Sequence, residues 1–285
     1  MSDLTFLAVH AHPDDEASST GGLFRLLHEQ GVRTVLVTCT NGECGDDPDG
    51  NKPDADHHDG DAVAALRAVE LERAVAILGI DRLVRLGYRD SGMMGWAQND
   101  DPASFWRADV DVAARHLADL INEEHPQVIM TYNEVGFYGH PDHIQAHRIT
   151  MRALDFLNYE PTVYFNTIPL SVMAMMRERW EAQERKQREE EAAKGIVREP
   201  EPEQERVEMG TPDEDIDAAI DVSEVNGFKF DALAAHASQI GESNFWMEMG
   251  RERFREMMRT EWFVRARNPK GLTGCVTDIF AGYRS

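Results

Sequence analysis

The sequence predicts an α/β fold in which a mostly parallel β-sheet carries helices on both faces. Short apolar runs, each long enough for one buried strand, alternate with helix-like segments through the first 170 residues. The chain has 285 residues, of which 42% are hydrophobic, and this is enough for one sizeable core. We therefore expect a single domain, 1–285.

The elements of the first 170 residues follow in a regular order. Strands are predicted at the short apolar runs, which are 4–9, 32–39, 82–86, 127–132 and 162–166. Helices are predicted at 18–30, 62–78, 107–125 and after His140-Pro141. Gly31 and Gly79 follow the first two helices, and glycine commonly takes the left-handed backbone conformation at such ends. This alternation is Rossmann-like, and ligands in such folds bind beyond the carboxyl ends of the strands.

The pattern changes after residue 170. Residues 173–194 are helix-like and rich in Arg, Glu and Gln, and 198–213 combine three prolines with acids. These features predict a charged helical insertion and flexible connector at 172–215. Beyond it we expect an edge strand at 216–222, helices at 226–240 and 243–259, and a short extended piece at 260–265. This C-terminal extension is expected to complete the pocket.

Charge and composition exclude several classes of partner. The net charge of −23 argues against nucleic acid and against an anionic membrane surface, since both would be repelled. No apolar stretch approaches the roughly 20 residues of a membrane span, and the N-terminus has no signal-peptide pattern. The three cysteines form no disulfide framework. We expect a cytoplasmic protein with a small-molecule partner, and homo-oligomer formation stays open.

The acidic residues are concentrated in two stretches. Residues 43–61 and 177–217 each carry a net charge of −7, which is 14 of the 23 excess negative charges. If both stretches border the pocket, their field would favour a neutral or cationic substrate over a sugar phosphate.

A first chemical cluster follows the first predicted strand. His12 and Asp15 are three residues apart, and imidazole nitrogen and carboxylate oxygen are both ordinary zinc ligands. Asp14 is a candidate general base beside them. The structural alternative is a turn or a helix N-cap. His10 shares a strand face with His12, although a lone histidine is more often structural.

A second cluster, His140-Pro141-Asp142-His143, follows the fourth predicted strand. Pro141 suits the first helical position, so a helix begins here. One histidine could complete a metal site while the other donates to an oxyanion or to the leaving amine. The alternative is a set of exposed helix histidines, including His147. Two such clusters on one rim of a sheet together supply three ligands, which is typical of a catalytic zinc site.

These motifs resemble the LmbE/PIG-L family of zinc-dependent de-N-acetylases, which includes enzymes of GlcNAc-phosphatidylinositol and mycothiol metabolism. The resemblance rests first on A-H-P-D-D-E at 11–16 and G-H-P-D-H at 139–143. Shorter similarities lie at 40–43, 67–71, 89–93 and 235–239, whereas 172–210 has no counterpart. The resemblance implies a hydrolase that removes an N-acetyl group from a glucosamine-type small molecule. Zinc is the implied metal, one ion per chain, and iron(II) stays open as its replacement.

The resemblance also implies a role for each matching residue. The implied zinc ligands are His12, Asp15 and His143. Asp14 matches the base that deprotonates the metal-bound water, and His140 matches the histidine that stabilises the tetrahedral intermediate or protonates the amine. The remaining matches are Tyr138 as an oxyanion donor, Asp142 as the partner that orients a histidine, and Arg67 and Asp90 as contacts to substrate hydroxyls.

A purely structural role stays open for several of these residues. Arg67 could form a surface salt bridge, Asp90 could cap the Ser91-Gly92 turn, and Tyr138 could serve packing. The same alternative applies to three more side chains in or near the motifs. Glu43 could be a loop residue, Glu16 could cap a helix, and His236 could be a buried structural histidine.

Three further functions remain as competing hypotheses. A mycothiol S-conjugate type of amidase would cut a larger acyl group, but that relative has a lysine near the position of Thr20. A non-catalytic binding protein with the same fold would not need a base beside the ligands. A nucleotide-binding protein is disfavoured because G-x-G-x-x-G is absent after the first strand.

Overall fold

The computed structural model describes residues 4–47, 49–193, 209–241 and 244–284. The strands of this described part are β1 Thr5–His10, β2 Arg33–Thr40, β3 Arg82–Tyr88, β4 Val128–Thr131, β5 Thr162–Thr167, β6 Ala218–Asp221 and β7 Thr260–Arg267. They form one sheet in the order β3-β2-β1-β4-β5-β7-β6. The first five are parallel to one another, whereas β7 is antiparallel to both β5 and β6.

Helices cover both faces of this sheet. Their bounds are α1 Asp15–Glu29, α2 Gly60–Leu78, α3 Val110–Glu124, α4 Gly136–Gly139, α5 Pro141–Ala153, α6 Leu170–Ala193, α7 Asn226–Ala235, α8 Phe245–Met249 and α9 Arg251–Met257. The α1, α2 and α7 helices pack with Phe6 and Ala8 in one core cluster. The α3 and α5 helices pack with Leu7 and Val9 in a second cluster on the opposite face. The predicted α/β fold is confirmed.

The order of the strands fixes where a ligand can enter. Strands β1 and β4 are neighbours, but α1 and α5, the helices that follow their carboxyl ends, lie on opposite faces of the sheet. This divergence opens a crevice beyond the two strands, as is general for doubly wound sheets. Both histidine-containing motifs lie in this crevice.

Several predicted boundaries are wrong in the C-terminal part. The single helix expected over 243–259 is interrupted at Gly250, where φ of 76° and ψ of 157° are incompatible with a helix. The short extended piece predicted at 260–265 is confirmed as β7, which is two residues longer and lies inside the sheet between β5 and β6. The helix expected at 226–240 ends at Ala235, because His236 leaves the helical region.

Other boundaries are closer to expectation. The α1 helix begins at Asp15 rather than at residue 18. The predicted edge strand at 216–222 is confirmed by β6. The helical half of the insertion corresponds to α6, whereas much of the connector, 194–208, lies outside the described residues. Among the helices that are described, none has the length and apolar character needed to span a membrane.

Candidate active site

The three predicted metal ligands come together at the crevice between β1 and β4. His12 lies two residues beyond β1, Asp15 opens α1, and His143 lies in the first turn of α5. The Oδ2 atom of Asp15 is 3.4 Å from His12 Nδ1 and 3.4 Å from His143 Nε2. All three side chains are buried.

More groups meet here than the predicted three. The ring nitrogens of His12, His140 and His143 lie within 4.8 Å of one another. Ligand atoms of His12, Asp90, His140 and Asp142 satisfy the same limit. The crevice therefore gathers donor atoms of the kinds that zinc binds.

The buried polar groups fit a cation. Both ring nitrogens of His143 are buried without a hydrogen-bond partner in the described part of the chain. Burial alone would raise the pKa of Asp15, but the imidazoles of His143 and His12 outweigh it and hold that pKa well below its usual range. A divalent ion would take the lone pair of one His143 nitrogen, and the Asp15 carboxylate would balance its charge.

Asp142 is fully buried and orients His12. One carboxylate oxygen, Oδ2, accepts a hydrogen bond from His12 Nε2 at 3.2 Å and from the Ser91 amide at 2.9 Å. The Ser91 hydroxyl donates to the other oxygen. With Nε2 held this way, His12 turns Nδ1 towards Asp15, which is a common arrangement for metal-binding histidines.

The ring of His140 is held in one protonation form. Its Nδ1 accepts a hydrogen bond from the Asp142 amide at 3.1 Å, so the proton of the neutral ring is on Nε2. Burial, followed by the nearby His12 and His143, lowers the pKa of His140 well below its usual value. A neutral ring with Nε2–H can donate a hydrogen bond to a developing oxyanion.

Tyr138 is at the mouth of the site and is 36% exposed. The edge of its ring meets His143, with the two centroids 4.9 Å apart. The chain approaches through Gly136, which has φ of 65°, and a Cβ there would be 2.8 Å from the Ile144 nitrogen. Glycine is therefore required for this loop to pack against α5.

Asp14 and Arg67 form an ion pair beside the site. The Arg67 guanidinium donates to Pro13 O at 2.6 Å, to Gly42 O at 2.8 Å and to Asp14 Oδ2 at 3.1 Å. Arg67 is only 4% exposed, so the alternative of a surface salt bridge does not describe it. Burial raises the pKa of Asp14 to about 6, and Arg67 opposes that rise.

Asp90 shows the turn contact that was its structural alternative. Its Oδ1 accepts from the Gly92 amide at 2.8 Å, and the same atom is 3.7 Å from His12 Nε2. Glu43 holds this loop, because its Oε2 accepts from the Asp90 amide at 2.9 Å. Asp90 thus caps a turn and faces the site at once, and its contact with substrate stays a prediction.

The comparisons with known proteins agree with this geometry. The family model of the GlcNAc-PI de-N-acetylases, PIG-L, matches residues 7–154. A 1D-myo-inositol 2-acetamido-2-deoxy-α-D-glucopyranoside deacetylase of Thermobifida fusca is 40% identical over 99% of this chain and 100% of its own length. The same-named enzyme of Salinispora arenicola is 38% identical over 99% of this chain and 92% of its own length.

The chain belongs to the PIG-L family. The resemblance seen in its motifs is confirmed, as is the prediction of an enzyme that hydrolyses an amide C–N bond. An N,N'-diacetylchitobiose deacetylase from Pyrococcus horikoshii has a similar structure, with a TM-score of 0.59 and 16% identity. That alignment covers 92% of this chain and 83% of the other, so the PIG-L-type fold extends beyond the part matched by the family model.

Sequence reasoning missed one residue of this PIG-L site. The buried ring of Tyr132 stacks on His143 with centroids 4.1 Å apart, and its hydroxyl accepts from the Ala11 amide at 3.0 Å. Tyr132 therefore connects the two motif loops. The only signal was its place at the end of the fourth predicted strand.

Two further histidines lie near the site without joining it. His10 is bonded to the Tyr132 hydroxyl and to Thr20 Oγ1, and burial lowers the pKa of His10 to about 4. His147 contacts the Tyr132 carbonyl oxygen at 2.9 Å. Both histidines therefore hold Tyr132, whose ring packs against His143.

Proposed function

We propose that this chain removes the acetyl group from an N-acetylglucosaminyl compound, with GlcNAc-inositol as the first candidate substrate. The observation that carries the proposal is the convergence of His12, Asp15 and His143 beside Asp14. Two full-length relatives named as deacetylases of that compound support the substrate class.

The proposed ligands for one divalent ion, zinc, are His12, Asp15 and His143. The unpartnered nitrogens of His143 and the Asp15 carboxylate between the two rings support this assignment. When bound, zinc supplies Lewis acidity, which polarises a carbonyl and makes water acidic enough to be a nucleophile near neutral pH. Iron(II) as the metal is the alternative, and metal analysis separates the two.

Asp14 is proposed as the general base. Its Oδ2 is held by Arg67, which leaves the other oxygen to accept a proton. A carboxylate with a pKa raised to about 6 is well matched to take a proton near neutral pH and to return it later.

His140 is proposed to donate from Nε2 to the oxyanion of the tetrahedral intermediate, and the Tyr138 hydroxyl is a second donor at the open side. Because Nδ1 of His140 already accepts from the Asp142 amide, a second ring proton would break that bond. The proton for the leaving amine is therefore assigned to the Asp14 carboxyl rather than to His140. Asp142 is proposed to keep His12 oriented, and Arg67 and Asp90 are proposed as contacts to sugar hydroxyls.

The organisation of the chain is part of the same proposal. A single deacetylase domain over 1–285 is supported by the C-terminal strands β6 and β7, which continue the sheet beyond β5. The segment 172–215 is then an insertion within that domain. A cytoplasmic location stays a prediction.

A screen of small N-acetylglucosaminides tests the function. Acetate release is measured for GlcNAc-inositol, for a neutral methyl glycoside and for a sugar phosphate, with metal analysis of the same sample. We expect release from the neutral compounds with about one metal ion per chain, and slower turnover of the phosphate. Faster turnover of the phosphate would contradict the prediction that the acidic stretches 43–61 and 177–217 disfavour an anionic substrate. If none of the three compounds released acetate, the proposed function would be wrong.

The amidase alternative is kept because of one cavity. An apolar cavity of about 420 Å³ adjoins Ser18 and Ser19 of α1, within four residues of Asp15. Methionines dominate its far wall, among them Met173 and Met176 of α6. Asn166 also lines it, and the Asn166 Oδ1 atom is buried with no hydrogen-bond partner among the described residues. Such a cavity suits a larger acyl group with one hydrogen-bond donor.

Filling the cavity distinguishes the two activities. Met176→Trp would reduce kcat/KM for a thiol-conjugated cysteinyl-glucosamine amide while leaving GlcNAc-inositol turnover near the wild-type value. If the unmodified protein does not cleave the conjugate at all, the amidase alternative is wrong.

A further inference from the structure

A fully buried pair, Glu16 and His236, has no part in the proposed chemistry. The two residues are 220 positions apart, both are 0% exposed, and Glu16 Oε1 is 2.7 Å from His236 Nε2. Glu16 follows the predicted ligand Asp15, whereas His236 lies far outside the 7–154 region of the family match. The pair joins the end of α7 to the start of α1.

The other oxygen of Glu16 reaches the proposed base. Glu16 Oε2 accepts the hydrogen bond of the Asp14 backbone amide at 3.0 Å. Asp14 has φ of 118° and ψ of −25°, a backbone conformation that residues other than glycine rarely adopt. Such conformations are strained and persist only where the surroundings impose them. Here the amide of Asp14 is held by Glu16, and its carboxylate by Arg67.

The two residues that follow closely after His236 in its motif, Ser238 and Gln239, are anchored to other segments. The amide and hydroxyl of Ser238 donate to Glu70 of α2 at 2.8 and 2.6 Å. The Gln239 side chain accepts from the Asp46 amide at 3.2 Å and donates to the Asp46 carbonyl at 3.0 Å. The segment 236–239 is therefore anchored to α2 and to the loop after β2, and these contacts keep His236 next to Glu16.

We propose that His236 and Glu16 are positioning residues for Asp14. His236 fixes the Glu16 carboxylate, which in turn fixes the backbone amide of Asp14 and so the direction of its side chain. The inference rests on the proposed role of Asp14 as the base.

Two amide variants of His236 test the proposal without introducing a large cavity. The side-chain N–H of His236→Gln can reach the place of Nε2 and donate to Glu16, whereas that of His236→Asn is too short. We expect His236→Asn to lower kcat by about 10- to 100-fold, the scale of a misplaced catalytic group, with KM and bound metal unchanged. His236→Gln should recover most of that loss.

Asn226→Ala is the matched control. Asn226 is the first residue of α7, the helix that ends just before His236. It is fully buried and donates to the carbonyls of Arg255 and Met258 at 2.7 and 2.9 Å. It should lower the Tm, as His236→Asn does, but leave kcat near wild type. A purely structural role for His236 would be shown by equal kcat for the Asn and Gln variants, or by an equal kcat loss in Asn226→Ala.

Asp14→Asn in the same assay separates this inference from the function on which it rests. Lost turnover in Asp14→Asn together with normal turnover in His236→Asn would overturn the positioning role alone. Normal turnover in Asp14→Asn would overturn the assignment of the base, and the positioning role with it.

Discussion

The two halves of the molecule contribute different things to one site. Residues 7–154 supply every proposed metal ligand, the base and the oxyanion donors, all from the segments that follow β1 and β4. Residues 155–284 supply none of these groups, but they continue the sheet through β7 and β6, line the apolar cavity and bring His236 against Glu16. The reactive groups therefore come from two short segments of the chain, whereas their support and much of the apolar cavity come from distant sequence.

The largest expected effect is the loss of a ligand in the first half. In His143→Ala, one of the two imidazoles beside Asp15 is missing, so metal affinity should collapse. We expect bound metal to be lost and turnover to fall by more than the roughly 100-fold cost of losing an outer partner of a metal site. Metal content by mass spectrometry and acetate release check this. A variant that retained its metal at wild-type occupancy would remove His143 from the ligand set.

A smaller effect is expected at Asp142, which contacts the proposed ligand His12 and is not itself a proposed ligand. Asp142→Ala removes the acceptor that holds His12 Nε2 and the Ser91 amide. Turnover or metal affinity should fall by about 10- to 100-fold, the usual cost of losing the partner that orients a metal-binding histidine. Titration with zinc and a kinetic assay at saturating metal measure the two effects separately. If both stayed at wild-type values, the orientation of His12 would not depend on Asp142.

The smallest effect on chemistry is expected from a core change in the second half. Phe263 is fully buried in β7, between β5 and β6. Phe263→Ala should lower the free energy of unfolding by about 3–5 kcal/mol through lost burial and a residual cavity. At a temperature where the variant is folded, kcat should be near wild type. Denaturant unfolding measures the free energy of unfolding, and the acetate assay measures kcat. A kcat loss as large as that of His143→Ala would show that the two halves do not differ in their contribution to catalysis.

The parts of the fold that the sequence predicted are those with local signals. The parallel core followed from the alternation of apolar runs with helical spacing, and the crevice from the carboxyl ends of the strands. The place of β7 inside the sheet could not be predicted, because an antiparallel insertion between β5 and β6 depends on long-range pairing rather than on any local pattern. The break at Gly250 was missed because an isolated glycine is often tolerated within a helix.

The site shows the same division between local and long-range information. The spacing of two short motifs indicated His12, Asp15 and one of the two histidines of the second motif, and the family resemblance selected His143. The structure brings these side chains together. Tyr132 and Glu16 could not be placed, because their contacts join segments far apart in sequence. The positive φ of Asp14 could not be predicted either, because the sequence H-P-D-D contains no glycine to indicate a left-handed backbone conformation.

The central claim is that Asp14 acts as the base without holding the metal. The most direct measurement is metal content and turnover of Asp14→Asn in one preparation. The account predicts wild-type metal occupancy with kcat lowered by about 10²- to 10⁴-fold, the usual contribution of a positioned general base. Loss of the metal would make Asp14 a ligand instead, and unchanged kcat would show that the proton goes elsewhere.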